Sequence, residues 1–340
     1  MGKIIYLPFE ELPQRYTEMW NKAIIKNLDS EDLVVYGTKE NSTITTGEFL
    51  DTYATIIQKS EQIKNVAKLF QKNLIKNGDI FFVPDIFYNG LSALRYMAEL
   101  SNIDIKIAAF NHAGRADKTD FVQHLNNWAD TQEQAWHQLC DVIFVGSNFH
   151  KHNVERKFKH KNIIKTGAVW DSEWMKDKCK DIQFGKKEEY VIFPHRPCEE
   201  KRFLKFLEIA RKNPELRFVI TTCGNNRLKE IKLPNNVEYR YNLTKEEYFE
   251  IFARAKYYLS IAKQETFGYT IQEAIFFGCK IIVANHPCYK EYVAKSSIFP
   301  LRKILQENFL TQTFKNSKKL CESKQFYNNA SRIVELLKSI

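Results

Sequence analysis

Two stretches of this sequence carry residue types and spacings suited to chemistry on a phosphorylated ligand. The first is Glu265-Thr266-Phe267-Gly268-Tyr269-Thr270-Ile271-Gln272-Glu273-Ala274. Its two glutamates have seven residues between them. Glu265 falls in a loop after a strand, and Glu273 on the helix that opens at about Gly268. A helix N-terminus presents N–H groups and a positive dipole end to an anion. Gly268 lets the backbone approach a ligand closely. Glu273, a turn into the helix, is placed to accept hydrogen bonds from the vicinal hydroxyls of a ribose, and Glu265 could do the same for a sugar. The second stretch is His195-Arg196-Pro197-Cys198-Glu199-Glu200-Lys201. It follows the predicted strand Tyr190–Phe193 and is expected to open a helix over Glu199–Lys212. Arg196 can clamp phosphate oxygens with two N–H groups and Lys201 adds a point charge, a pair suited to a diphosphate leaving group.

The elements that position these residues read as alternating strands and helices. In the first half, apolar runs at Lys3–Leu7, Leu33–Tyr36, Asp79–Val83, Asp104–Phe110 and Asp141–Val145 predict strands. Segments at helical spacing lie between them: Glu10–Lys26, Asp51–Leu74, Gly90–Leu100 and Trp128–Leu139, with Phe149–Phe158 after the last. The second half repeats the order, with strands at Leu216–Thr221, Val237–Tyr241, Tyr257–Ile261 and Cys279–Ala284. Thr244-Lys245-Glu246-Glu247 has the form of a capping box opening a helix through Ala255. Such alternation predicts an α/β fold with parallel sheets covered on both faces. Gly167–Lys187 shows no clear period and is expected to be the linker between two Rossmann-like domains facing across a cleft. The expected boundaries are 1–170 for the first domain, 171–187 for the linker, 188–322 for the second, and 323–340 for a closing helix returning to the first.

Together the two motifs resemble those of the GT-B glycosyltransferases, and within them the retaining glycosyltransferase family 4. That family carries a glutamate pair at this spacing, with Phe-Gly after the first and Glu-Ala at the second. It also carries Gly-Arg-x-x-x-x-Lys after the first strand of its C-terminal domain. The Arg196-to-Lys201 spacing fits, while His195 replaces the usual glycine. The resemblance covers roughly residues 188–295 and is looser over Asp141–Thr166. It implies a GT-B fold and transfer of a sugar from a nucleotide donor, most readily a UDP-sugar, with no bound metal or other cofactor. Arg196 and Lys201 would bind the donor diphosphate, Glu273 the ribose, and Glu265, Phe267, Gly268 and Tyr269 would line the transferred sugar. Arg196, Lys201, Glu265 and His112 would form the catalytic set, since family members place a histidine after the strand that here is Asp104–Phe110.

On the acceptor side, Asp85, His112, Asp117 and Asp120 follow strand ends or sit in the next loop. Each aspartate suits helix capping as readily as the orientation of an acceptor hydroxyl. The family's glycine-rich loop after the first strand is missing, because Leu7–Thr17 contains no glycine. The start of the chain, the Pro84-Asp85 strand end and His112-Ala113-Gly114 resemble phage-encoded glycosyltransferases. Some of those modify hydroxymethylated pyrimidines in DNA. The favoured expectation for the acceptor is therefore such a base. The alternative is a lipid-linked or cell-surface glycan precursor, and a more distant one a non-catalytic binding module on the same frame.

Composition sets the outer limits. The chain has 340 residues, of which 44% are hydrophobic, 14% aromatic and 27% charged, enough for two buried cores and inconsistent with disorder as the main state. No apolar run approaches the roughly 20 residues of a membrane-spanning helix, and the N-terminus lacks the pattern of a cleaved leader. Seven scattered cysteines with no Cys-x-x-Cys pair predict reduced thiols in the cytoplasm, host cytoplasm for a phage-encoded chain. The net charge of +10 suits a polyanionic partner. Lys151, Arg156, Lys157, Lys159, Lys161 and Lys165 form a basic run that could track the phosphates of DNA. Trp128, Trp136, Trp170 and Trp174 could stack bases but suit a core equally well.

Overall fold

The computed structural model describes residues 2–12, 15–38, 52–182, 184, 186–222, 228, 231–316 and 329–340. The chain divides into two compact units, residues 1–171 with 327–340, and residues 172–326. Each is built on a six-stranded sheet in which every pairing is parallel.

In the first unit the strands are β1 (Ile4–Tyr6), β2 (Leu33–Val34), β3 (Ile80–Val83), β4 (Lys106–Asn111), β5 (Val142–Val145) and β6 (Ile163–Lys165). Their order across the sheet is β2-β1-β3-β4-β5-β6. The central strands are apolar without interruption: Ile-Phe-Phe-Val in β3 and Val-Ile-Phe-Val in β5, all buried. A strand covered on both faces has no solvent side, so the alternation of a half-exposed strand is absent. One face packs Ile5, Phe81, Ile107 and Ile143 against Val66, Phe70, Leu94 and Trp136 from the helices Thr52–Gln71, Leu91–Leu100 and Trp128–Leu139. Burial of each such side chain contributes roughly 1.5–3 kcal/mol.

The second unit holds β7 (Glu188–Phe193), β8 (Arg217–Thr221), β9 (Val237–Arg240), β10 (Ala255–Ser260), β11 (Lys280–Ala284) and β12 (Ile298–Phe299). Their order is β12-β11-β10-β7-β8-β9. The chain runs outward from β7 to β9, then returns to the other side of β7 with β10. The junction between β7 and β10 is thus a topological switch point, where loops leaving adjacent strands diverge and open sheets bind ligands.

Several elements differ from expectation at their ends. The first helix spans Thr17–Ile25, and the described residues 10–12, 15 and 16 belong to the connection ahead of it. Asn21 ties that connection down: its side chain accepts from Phe9 N (3.0 Å) and Tyr6 Oη (3.0 Å) and donates to Phe9 O (3.0 Å). Gln62 Nε2 donates to Pro8 O at 2.8 Å. The segment 167–187 contains a helix, Ser172–Lys178. The helix expected from Glu199 begins at Phe203, because Arg202 adopts a left-handed conformation with φ of 55°. The capping box is present, with Glu247 N donating to Thr244 Oγ1 (3.1 Å) and Thr244 N to Glu247 Oε2 (2.8 Å). The expected start of the closing helix and the boundary at 322–323 lie outside the described residues, as do Cys223 and Cys321. The described part of that helix, Ala330–Lys338, packs in the first unit. Trp136, Trp170 and Trp174 are buried, whereas Trp128 is exposed. Among the described residues no helix is long and apolar enough to cross a membrane.

Candidate functional site

The loops that leave β7 and β10 are stitched together at the switch point. Lys263 N donates to Glu200 O (2.8 Å), and Arg202 Nη1 to Ile261 O (3.1 Å). Lys201 Nζ donates to Gln264 O at 3.1 Å, and lies 3.6 Å from Glu265 Oε2 and 3.5 Å from Glu200 Oε1. Arg196 Nη2 pairs with Glu200 Oε1 at 3.1 Å. Arg196, Lys201 and Glu265, far apart in sequence, therefore form one cluster, and Glu200 joins it as a bridging acid. Burial acts to lower the Lys201 pKa, but Glu265 and Glu200 overcome it and hold the ammonium above its ordinary range. Lys201 stays charged at neutral pH.

Gly268 sits at the start of the helix Tyr269–Phe276 with φ of 85°. A Cβ there would lie 3.4 Å from both Glu265 Cγ and Tyr292 Oη. The turn thus needs glycine for its backbone conformation and sits against the Glu265 side chain. Phe267 is buried, with its ring 5.1 Å from Tyr269 and 6.0 Å from Tyr292. Gly268→Ala is expected to lower stability by about 1–2 kcal/mol, the usual cost of a left-handed non-glycine residue. A melting temperature equal to that of the wild type would contradict this.

Glu273 lies one turn further along and is held separately. It is 1% exposed. Its Oε2 accepts from Tyr248 Oη at 2.6 Å, and its Oε1 lies 3.8 Å from Lys245 Nζ. Both partners come from the helix Lys245–Arg254, which the capping box opens. They were not singled out in the sequence, although the spacing of three places them on one helix face. Lys245 Nζ also lies over the rings of Tyr248 (5.1 Å) and Phe249 (4.8 Å).

The first unit gathers its candidates at the ends of β3 and β4. His112 Nε2 is 2.8 Å from Pro84 O. A carbonyl only accepts, so Nε2 carries the proton and Nδ1 holds the lone pair. Burial lowers the His112 pKa against the opposing pull of Asp85 and of the Pro84 carbonyl, which favours the neutral ring. Phe110, Trp20 and Phe9 surround the imidazole, with ring centroids at 4.5, 5.1 and 5.8 Å. The three aspartates engage nearby backbone. Asp85 Oδ1 accepts from Phe87 N (3.1 Å), Asp117 Oδ1 from Thr119 N (3.0 Å), and Asp120 Oδ1 from Val122 N (3.1 Å).

Glu133 was also missed, being one acid on an amphipathic helix. Both its oxygens accept from Arg115 N, at 3.2 and 2.9 Å. Gly114, with φ of 122°, lies against the carboxylate, and a Cβ there would come within 2.5 Å of Oε1. Burial pushes the Glu133 pKa up to about 8. Because the native state holds this proton more tightly than the unfolded chain does, stability should fall as pH rises from about 4.5, the unperturbed value, to about 8. In Glu133→Gln that part of the decline disappears, which melting curves across the range would reveal. A variant as steeply pH-dependent as the wild type would count against the assignment.

Among the described residues no group of three or more His, Cys, Asp or Glu could hold a metal ion. Residues 175–308 match the family model of the glycosyl transferases group 1. The structure of HepE from Anabaena, in complex with UDP and glucose, has a TM-score of 0.65 and 11% identity, with 100% of each chain covered. Sucrose-phosphate synthase from Thermosynechococcus elongatus has a TM-score of 0.62 and 12% identity over 99% of this chain and 95% of that one. The pneumococcal O-GlcNAc transferase GtfA, in complex with UDP and GlcNAc, has a TM-score of 0.55 and 15% identity over 90% of this chain. This chain spans 64% of the length of GtfA. No curated protein sequence gives a significant match. The fold class is GT-B, and the stretch that matches the glycosyl transferases group 1 model falls within the second unit.

Proposed function

We propose that this chain is a retaining glycosyltransferase of family 4 that moves a sugar from a nucleotide donor, a UDP-sugar, to a hydroxyl. The observation that carries this reading is the Lys201 ammonium held between Glu265 and Glu200 beside Arg196, at the switch point of a parallel sheet. Two cations there supply the charge that a departing nucleoside diphosphate needs. The residues 188–322 would take the donor and 1–170 the acceptor. Glu273 would receive the ribose hydroxyls, and Glu265 with Phe267, Gly268 and Tyr269 would face the sugar. In the transfer, the bond from the anomeric carbon to the β-phosphate oxygen breaks and the bond to the acceptor oxygen forms on the same face. The acceptor proton passes to the leaving phosphate, so no separate protein base is required. His112 Nδ1 would accept from a donor-sugar hydroxyl.

For the acceptor, we favour a hydroxymethylated pyrimidine in DNA. The net charge of +10 supports it, as does the basic run on and after the helix Asn148–Phe158, where Arg156, Lys157, Lys159 and Lys161 are exposed. Lys157 and Lys151 are partly offset by Asp130 and Glu155. The test is incubation with a panel of nucleotide sugars and with hydroxymethylated or unmodified DNA, followed by digestion and weighing of the nucleosides. A hexose or pentose increment on the modified base is the expected result. Donor hydrolysis without any increment would overturn the DNA acceptor and point to a glycan or lipid-linked precursor. Absence of both transfer and hydrolysis with every donor would overturn the transferase reading.

A further inference from the structure

A continuous buried chain of polar groups runs behind the loops that hold Arg196, Lys201 and Glu265. His195 Nε2 lies 3.0 Å from Ser260 Oγ, and Ser260 Oγ lies 2.8 Å from Tyr289 Oη. Tyr258, two residues before Ser260 on β10, has its ring 6.3 Å from that of His195, and its Oη is 2.8 Å from Thr270 Oγ1. His195 is 5% exposed, and Ser260, Tyr258 and Tyr289 are fully buried. The hydrogen bonds join the turn after β7, the end of β10 and the turn Cys288–Glu291, and Tyr258, on the same strand and packed near His195, adds the first turn of the helix Tyr269–Phe276.

Each member of the chain can both donate and accept, provided the imidazole is neutral. Burial, with the charges of Lys201 and Arg196, holds the His195 pKa well below its ordinary value, which keeps the ring in that form. The ring also fills space. It packs edge-on against Phe193 (4.9 Å) and near Tyr258 (6.3 Å). A glycine at this position would supply neither the packing nor the partner for Ser260.

We propose that His195 is a positioning residue for the donor site. Through its bond to Ser260 and its packing near Tyr258, both on β10, it holds the loop bearing Arg196 and Lys201 in register with the helix turn at Gly268–Thr270. The proposal rests on the reading that these two segments receive the donor diphosphate. Charge stabilisation depends on groups already fixed where the charge develops, and a misplacement of about 1 Å can cost a hundredfold in rate. Because both segments are anchored on the same end of β10, at Ser260 and Tyr258, loosening one loosens the other.

The test compares His195→Ala, Ser260→Ala, the double variant and His195→Gln in the full chain, with two readouts. The first is amide hydrogen exchange without ligand. Protection at Cys198 and Arg202 in the loop, and at Ile271 and Gln272 in the helix turn, is expected to fall together by about tenfold in both single variants. The second is UDP affinity, expected to weaken about tenfold in each single variant and no more than about twofold further in the double variant. His195→Gln, whose amide N–H can reach Ser260, is expected to stay within about threefold of the wild type. Loosening of the loop alone, multiplying effects in the double variant, or a glutamine variant no better than alanine would overturn the positioning role. If the wild type bound UDP normally while the variants loosened neither segment, only that role would fail. If the wild type bound no nucleoside diphosphate, the donor-site reading would fail, and the exchange measurement would still decide the coupling.

Discussion

Lys201→Ala is expected to reduce the turnover of a nucleotide-sugar donor by about 10²–10³-fold, the usual consequence of losing one preorganised group at a developing anion. The Lys201 ammonium touches Glu265, Glu200 and the Gln264 carbonyl. Its removal leaves two carboxylates facing each other around a partly buried space, with Arg196 as their nearest cation among the candidate residues. The loss should therefore appear in kcat as well as in donor affinity. Lys201→Arg keeps the charge, but a planar fork does not fit the space of a compact ammonium. We expect it to recover part of the affinity and little of the rate. Steady-state kinetics with either product nucleotide or free sugar as the readout checks both variants. A Lys201→Ala enzyme within threefold of the wild type would remove Lys201 from the donor site.

The second large effect is expected at Glu273. If its carboxylate receives the ribose hydroxyls, the wild-type protein should bind UDP more tightly than the 2′,3′-dideoxy analogue by about 10–100-fold, as expected for hydrogen bonds to a charged group worth ~1.5–3 kcal/mol. Glu273→Ala should bind both ligands weakly and equally. The loss of discrimination is the informative part, because truncation also strips Tyr248 Oη and Lys245 Nζ of a buried partner. That structural cost, about 1–3 kcal/mol, lowers stability in the absence of any ligand. Glu273→Gln retains an acceptor for Tyr248 and separates the two contributions. Calorimetric titration of both ligands into the three proteins decides the matter. Discrimination that survives in Glu273→Ala would place the ribose elsewhere.

The parallel sheets were legible because the central strands are covered on both faces, so Ile80–Val83 and Val142–Val145 appear as short unbroken apolar runs between turn signals. The edge strands β6 and β12 have three and two residues, and the helix Ser172–Lys178 has seven. Such lengths give periodicity nothing to act on. The run Glu199-Glu200-Lys201-Arg202 is made of good helix formers, yet it forms a turn. Tertiary bonds from Lys263 and to Ile261 hold it there, and local preference cannot anticipate them. The same logic divides the site. The cluster of Arg196, Lys201 and Glu265 was readable because all three follow strand ends that a parallel sheet brings to one edge. Lys245 and Tyr248 reach Glu273 from a helix beginning 28 residues earlier, and only the packing of that helix on the sheet reveals the pairing. Glu133 likewise acquires its raised proton affinity from burial under Gly114, which one acid in an amphipathic pattern does not announce.

The helix Ala330–Lys338 buries Ala330, Ile333, Val334 and Leu337 in the first unit, and Asn329 Nδ2 donates to Thr166 O (3.2 Å) and Ala168 O (2.8 Å). Its sequence arrives only after all of residues 172–326, which make up the second unit. During synthesis the usual order of domain completion is thereby inverted. The unit that starts first must wait with an apolar groove uncovered, while the unit that starts second is contiguous and can finish on its own. A nascent chain halted after residue 326 would thus hold a completed second unit and an unfinished first one, and a chaperone that shields apolar surface would have its natural target in the older half of the molecule.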